Sequence, residues 1–151
     1  MCFNWKEKLT VSVEVLSVSI DEQNISTRVF SASGESPEKA FKALNNKLPK
    51  RLLFDHCAAI VLSPDMSDRR KKELLAFCID DPTVNLSTPV IYSKNIESLL
   101  SAEHESAAVG YDIMQILRHN DCEKQSRLYK TAVDLRGILT FKNENGKVVK
   151  E

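Results

Sequence analysis

His56 and Cys57 are the one place in this chain where a base type and a nucleophile type stand side by side. An imidazole activating a thiol would be the chemistry of a cysteine nucleophile. Neighbouring residues on a strand point to opposite faces, so a strand here does not readily form a thiolate–imidazolium dyad. A structural histidine beside a buried cysteine is the plainer reading. The other histidines lie among acids, as Glu103-His104-Glu105 and His119-Asn120-Asp121. Helical metal ligands need i, i+3 or i, i+4 spacing, and His104 and Glu105 have no ligating residue three or four positions on, so surface charge is expected. Asp80-Asp81 could pose as a carboxylate pair, but it precedes Pro82 at a helix end, where a turn role for Asp81-Pro82 suffices. No nucleophile elbow accompanies any Ser/His/Asp set. The residues assign no catalytic, cofactor-binding or metal site.

Gly34, Gly110, Gly137 and Gly146 are all isolated. A loop that cradles phosphate needs glycines where backbone must approach the ligand, so no nucleotide-type loop can be written. Cys2, Cys57, Cys78 and Cys122 are widely spaced, without a C-x-x-C pair, which argues against a zinc knuckle or dithiol redox site. Cys57 and Cys78 read as small buried hydrophobes. Thiol chemistry and compartment both stay open.

The chain has 151 residues, with 21 Lys+Arg against 21 Asp+Glu. Zero net charge and a pI near 6.8 argue against a dedicated nucleic-acid binder and against a polybasic membrane-surface helix. The apolar share of 42% is that of a globular protein, and the length suits a single domain over 1–151. No run reaches the ~18–20 apolar residues of a spanning helix, and the N-terminus lacks the apolar stretch of a signal peptide. Either a cytoplasmic protein or an internal piece of an exported one fits.

These residues need elements to position them. Leu9, Val11, Val13 and Val15 alternate with polar residues, then Leu16, Val18 and Ile20 continue on the opposite parity. That slip predicts a long strand with a bulge or sharp twist near its middle. Asp21–Asn24 is turn chemistry, and 25–30 returns as the second arm of a long antiparallel hairpin. Ser36 caps a helix with Pro37 at its first position, buries Ala40, Phe41, Leu44 and Leu48, and Pro49 ends it. Residues 58–62 form a strand buried on both faces. Ser67 caps a second helix that buries Leu74, Leu75 and Cys78. Its run Arg69, Arg70, Lys71 and Lys72 reads as a solvated face, with a patch for a small anion or acidic partner as the alternative.

Residues 88–92 make another strand, with Pro89 near its start. Helical segments follow at 96–102 and 106–120, the latter with an apolar face of Tyr111, Ile113, Met114, Ile116 and Leu117. The polar stretch 121–127 reads as a loop. Val133, Leu135, Ile138, Leu139 and Phe141 lead as strand into Asn145-Gly146, a hairpin signal, and Lys147-Val148-Val149 returns. The order β-β-α-β-α-β-α-α-β-β predicts an α/β (α+β) fold, a mixed sheet with helices packed on it.

In that order the chain resembles the Ger(x)C family of spore germination proteins. Ser33-Gly34-Glu35-Ser36-Pro37-Glu38-Lys39-Ala40-Phe41 is similar to the family's G-x-S/T-x-x-E-A helix start. Leu53-Phe54-Asp55-His56 followed by Ala58 to Ser63 resembles its Leu-Tyr/Phe-x-x-His segment and apolar strand. Leu74 to Pro82, then Val84 to Tyr92, resembles its helix, aspartate-proline turn and strand. Gly137-Ile138-Leu139-Thr140-Phe141-Lys142 with Gly146-Lys147-Val148-Val149 is similar to its closing hairpin. The likeness spans Leu9 to Val149. No lipobox precedes Cys2 and the family's large C-terminal portion is missing, so the expectation is its N-terminal domain alone, a fragment or truncated relative.

The resemblance implies a non-enzymatic subunit of a nutrient germinant receptor, without cofactor. It implies a lipoprotein C-subunit on the outer face of the inner spore membrane, acting with membrane-embedded A and B subunits through protein contacts. It carries over no catalytic residues; His56 and Gly34 match pattern positions and are expected to be structural. The rival expectation is a small α/β ligand-binding protein or enzyme using the His56–Cys57 region.

Overall fold

The computed structural model describes residues 1–19, 24–50, 52–101, 108–120, 126–128, 135, 139–144 and 147–150. Among them the strands are β1 (Cys2–Trp5), β2 (Leu9–Ser19), β3 (Asn24–Gly34), β4 (Ile60–Leu62), β5 (Val90–Ser93), β6 (Leu139–Glu144) and β7 (Lys147–Lys150). The helices are α1 (Pro37–Asn45), α2 (Asp68–Asp80), α3 (Ile96–Ser101) and α4 (Val109–His119). The strands form one mixed sheet in the order β3-β2-β1-β4-β5-β6-β7. Parallel pairing joins β1 to β4, β4 to β5 and β5 to β6, while antiparallel hairpins flank this centre. The fold is α/β with a mixed sheet, as the pattern of elements predicts.

An additional strand opens the chain. β1 lies inside the sheet, between β2 and β4, where four residues are too few for periodicity to reveal a strand. Its residues divide between two cores. Phe3 and Trp5 join one cluster with Leu9, Val11, Val13, α1 and α2, whereas Cys2 joins another with Ala59, Val61, Ile91, Leu99 and α4. Both sheet faces are therefore covered. This also explains the parity slip in β2, where no bulge occurs. Pairing with β3 runs one residue to one from Leu9↔Gly34 to Ser19↔Asn24. Leu16 lies on the opposite face of the sheet from Val15, so a change of parity needs no change of register.

The helix starts are as their caps predict. Ser36 accepts from Lys39 N–H with Pro37 at the first helical position, and Ser67 accepts from Arg70 N–H. α1 buries Pro37, Ala40, Phe41 and Leu44 but closes at Asn45, well before Pro49; Leu48 packs on the core from beyond the helix. At Gly34 any Cβ would collide with the backbone of Lys39 and Ala40, so glycine is what lets α1 fold back onto the hairpin. α2 buries Leu74, Leu75 and Cys78, as its spacing predicts, and also Lys71.

The basic run on α2 is only half a solvated face. Arg69 and Lys72 are exposed. Arg70 reaches back to the end of β1, donating to the Trp5 carbonyl (3.2 Å) and the Lys6 carbonyl, with its guanidinium 5.3 Å from the Trp5 ring centre. Lys71 is only 7% exposed; its ammonium sits 4.8 Å from the Tyr92 ring centre and 3.4 Å from Asp68. Their long stems cover apolar surface while the charges find an aromatic face. The α4 face also differs in part. Val109, Ile113 and Leu117 are buried, and Tyr111 is turned outward. Residues 102, 106, 121–125 and Asn145-Gly146, on which helix ends, a loop and a turn were predicted, lie outside the described residues.

Candidate functional site

A cavity of about 350 Å³ opens on the second face of the sheet, between β2, the segment leading into β4 and the first turn of α4. That segment is held from beneath. Phe54 is buried edge-on against Phe41, with ring centres 5.5 Å apart, and its N–H donates to the Thr83 hydroxyl at 3.3 Å. A turn follows, closed by Cys57 N–H donating to the Phe54 carbonyl at 3.0 Å. His56 and Cys57 therefore sit on and just after a turn; the strand predicted from Ala58 is shorter and starts at Ile60. The apolar run is long enough for a strand, but pairing with β5 begins only at Ile60↔Val90.

His56 and Cys57 both line the cavity without forming a dyad. The imidazole is 95% exposed and lies 3.5 Å from the Asp55 carboxylate. The Cys57 thiol, half-buried, donates to the Ala59 carbonyl at 3.3 Å. Ala59 also accepts from the Met1 amino group at 2.7 Å, which brings Met1 and Cys2 into the same wall. Cys2, Cys57 and Cys78 are free thiols. Burial pushes the Cys2 thiol up to about 11 and the Cys78 thiol up to about 12. Both are inert at neutral pH, since the thiolate is the reactive form.

Glu14 is the polar wall residue whose role the sequence hides. It occupies a polar slot of the β2 alternation and so reads as solvent-facing. Its carboxylate instead accepts from Val109 N–H at 3.0 Å. Ala108 occupies the cap position of α4 without a side-chain cap bond, so a strand residue distant in sequence supplies the missing acceptor. Negative charge at a helix N-terminus is also electrostatically favourable. Gly110 completes this approach, because a Cβ there would stand 2.8 Å from the Ala58 methyl.

The remaining candidates among the described residues do not converge on the cavity. Asp81 closes its own turn, accepting from Thr83 N–H at 2.8 Å and from the Thr83 hydroxyl at 2.7 Å. His119 lies in the last turn of α4, its Nδ1 3.0 Å from the Gln115 carbonyl. His104, Glu105 and Cys122 lie outside the described residues. Among the described residues no three His, Cys, Asp or Glu side chains gather as a metal site would require. No described helix is long and apolar enough to cross a membrane.

The fold and cavity define an α/β protein whose mixed sheet is covered by helices on both faces, with one wall left partly open. Comparison with known families then places it: the family described as "Spore germination protein N-terminal domain" matches residues 4–148, and the chain belongs to that family. A role in spore germination follows from that membership. No curated protein and no solved structure matches the chain.

Proposed function

We propose that this chain is the N-terminal module of a nutrient germinant receptor C-subunit and acts through protein–protein contacts. The family match over residues 4–148 is the observation that carries the reading. Its partners on this reading are the membrane-embedded A and B receptor subunits. On this reading a lipid anchor attaches the subunit to the outer face of the inner spore membrane. Two large exposed apolar side chains on the cavity, Leu53 and Tyr111, support a contact role, for such surface gains by being covered. The chemistry is recognition and positioning, without turnover.

The test is association. Purified chain is mixed at micromolar concentration with detergent-solubilised A and B subunits and the complex is isolated by affinity capture. Retention by both subunits, weakened at least tenfold by Leu53→Asp with Tyr111→Asp, is expected. No association of the folded chain removes the reading.

A second reading, a small ligand-binding protein or enzyme using the His56–Cys57 region, is favoured by one observation: both residues line the cavity. Any ligand binding or turnover detected should then vanish in a His56→Ala, Cys57→Ala double variant. Its persistence there eliminates this alternative.

A further inference from the structure

The outer edge of β3 combines exposed apolar side chains with outward-facing backbone groups. Among the described residues β3 forms one margin of the sheet, bonded on one side to β2. Lys47 donates to the Ser31 carbonyl at 2.7 Å, which fixes the side to which Ser31 directs its backbone groups. Outward and inward backbone groups alternate along a strand. Ile25, Thr27 and Val29 therefore direct their N–H and C=O groups away from β2 as well. Residues 25–29 are all exposed, and Ile25 and Val29 retain 58% and 45% of their accessible surface. The backbone groups without a strand partner among the described residues and the exposed apolar side chains thus belong to the same residues.

We infer that two copies of this chain associate by antiparallel pairing of residues 25–29 of β3 about a two-fold axis at Thr27. The segment Ile25-Ser26-Thr27-Arg28-Val29 presents apolar, polar, threonine, polar, apolar in either direction. A two-fold interface requires that self-complementarity. In this register Ile25 meets Val29 of the second copy, twice, and Thr27 meets Thr27. Arg28 is the one charged side chain from Asn24 to Gly34, and it meets Ser26, never its own copy. Lys47 occupies the edge at Ser31 and so confines pairing to the open end, as edge lysines commonly do. Such a short interface belongs with weak associations that bury less than ~1,200 Å².

Sedimentation velocity of the chain from about 10 μM to about 500 μM tests the pairing, the range over which a weak dimer fills. A doubling of mass with concentration is expected, lost in Thr27→Pro and in Val29→Lys while circular dichroism stays that of the parent. Proline removes the central outward N–H without disturbing the bonds to β2. Mild oxidation of Thr27→Cys, in a background with Cys57 and Cys122 replaced by serine, should give a covalent dimer at least tenfold faster than Ser33→Cys. A chain that stays monomeric throughout overturns the inference. So does a dimer that survives both edge variants, or equal cross-linking at Thr27→Cys and Ser33→Cys.

Discussion

On one face of the sheet Phe3, Trp5, Leu9, Ile60 and Leu62 meet α1 and α2, and Phe41 gathers Phe3, Phe54 and Phe77 within 5.1 to 6.0 Å. On the opposite face Cys2, Val61 and Ile91 of the strands, with Ala59 just before β4, meet α3 and α4. The backbone is shared, but the side chains differ in size. Large groups fill the first layer. In the second, the small residues Cys2, Ala58 and Ala59 border the cavity beside Glu14, and α4 comes close to Ala58 at Gly110. The alternating residues of a two-faced strand set two independent packing problems, and around Ala58 and Ala59 this chain leaves one of them partly unfilled.

Cavity formation should separate the faces most strongly. Leu74, fully buried in the first layer, should lose about 3–5 kcal/mol on Leu74→Ala, the upper range for leucine truncation. Ile113 is equally buried but borders the existing cavity, so Ile113→Ala should lose about 2–3 kcal/mol, since its neighbours have room to relax. Urea unfolding of both variants measures this, and equal losses would break the contrast.

Alkaline pH probes one thiol in each layer, Cys78 in the first and Cys2 in the second. Each is held above its ordinary 9.0 because burial disfavours the thiolate. The folded state therefore keeps a proton that the unfolded state releases. Stability is intact below pH 9 and falls as pH rises to about 11 for Cys2 and about 12 for Cys78. The slope is at most roughly 1.4 kcal/mol per pH unit for each thiol. Cys2→Ala and Cys78→Ala should each flatten the urea midpoint between pH 9 and about pH 10.5 by similar amounts. A variant that leaves the slope unchanged shows that its thiol ionises freely in the folded protein.

The smallest effect concerns the open wall itself. Glu14→Ala should cost about 1 kcal/mol, the usual loss for a helix cap. Amide exchange should accelerate at Val109 and leave α2 unaffected. A stabilised variant would mean that the carboxylate is kept for something other than capping.

Much of the fold is legible because it rests on local chemistry. Ser36-Pro37 and Ser67 mark helix starts by supplying acceptors to free N–H groups, and they do so whatever lies around them. The buried apolar positions Leu74, Leu75 and Cys78 of α2 follow from spacing alone. β1 is not legible, because four residues acquire strand character only by lying between β2 and β4. The parity change at Leu16 is visible, yet its cause is not, since a bulge and a second covered face leave the same pattern. Arg70 and Lys71 look solvated because their charges do; Trp5 and Tyr92 are far away in sequence.

The candidate site divides in the same way. His56 and Cys57 are conspicuous as a pair, and the structure places both on the cavity while leaving them unjoined. Glu14 passes unnoticed because its partner, Val109, is distant in the chain.

The sequence by itself determined the α/β class, the caps, the main apolar faces and the order of segments that the germination family shares. Propensity, capping and periodicity are near-neighbour effects, fixed within a few residues. Tertiary structure alone decided that the sheet has two covered faces and that Glu14 caps α4. It also decided that a cavity stands beside His56 and Cys57, and that residues 25–29 lie exposed at the margin of the sheet among the described residues. Each of these joins residues far apart along the chain, and only the closed sheet brings them together.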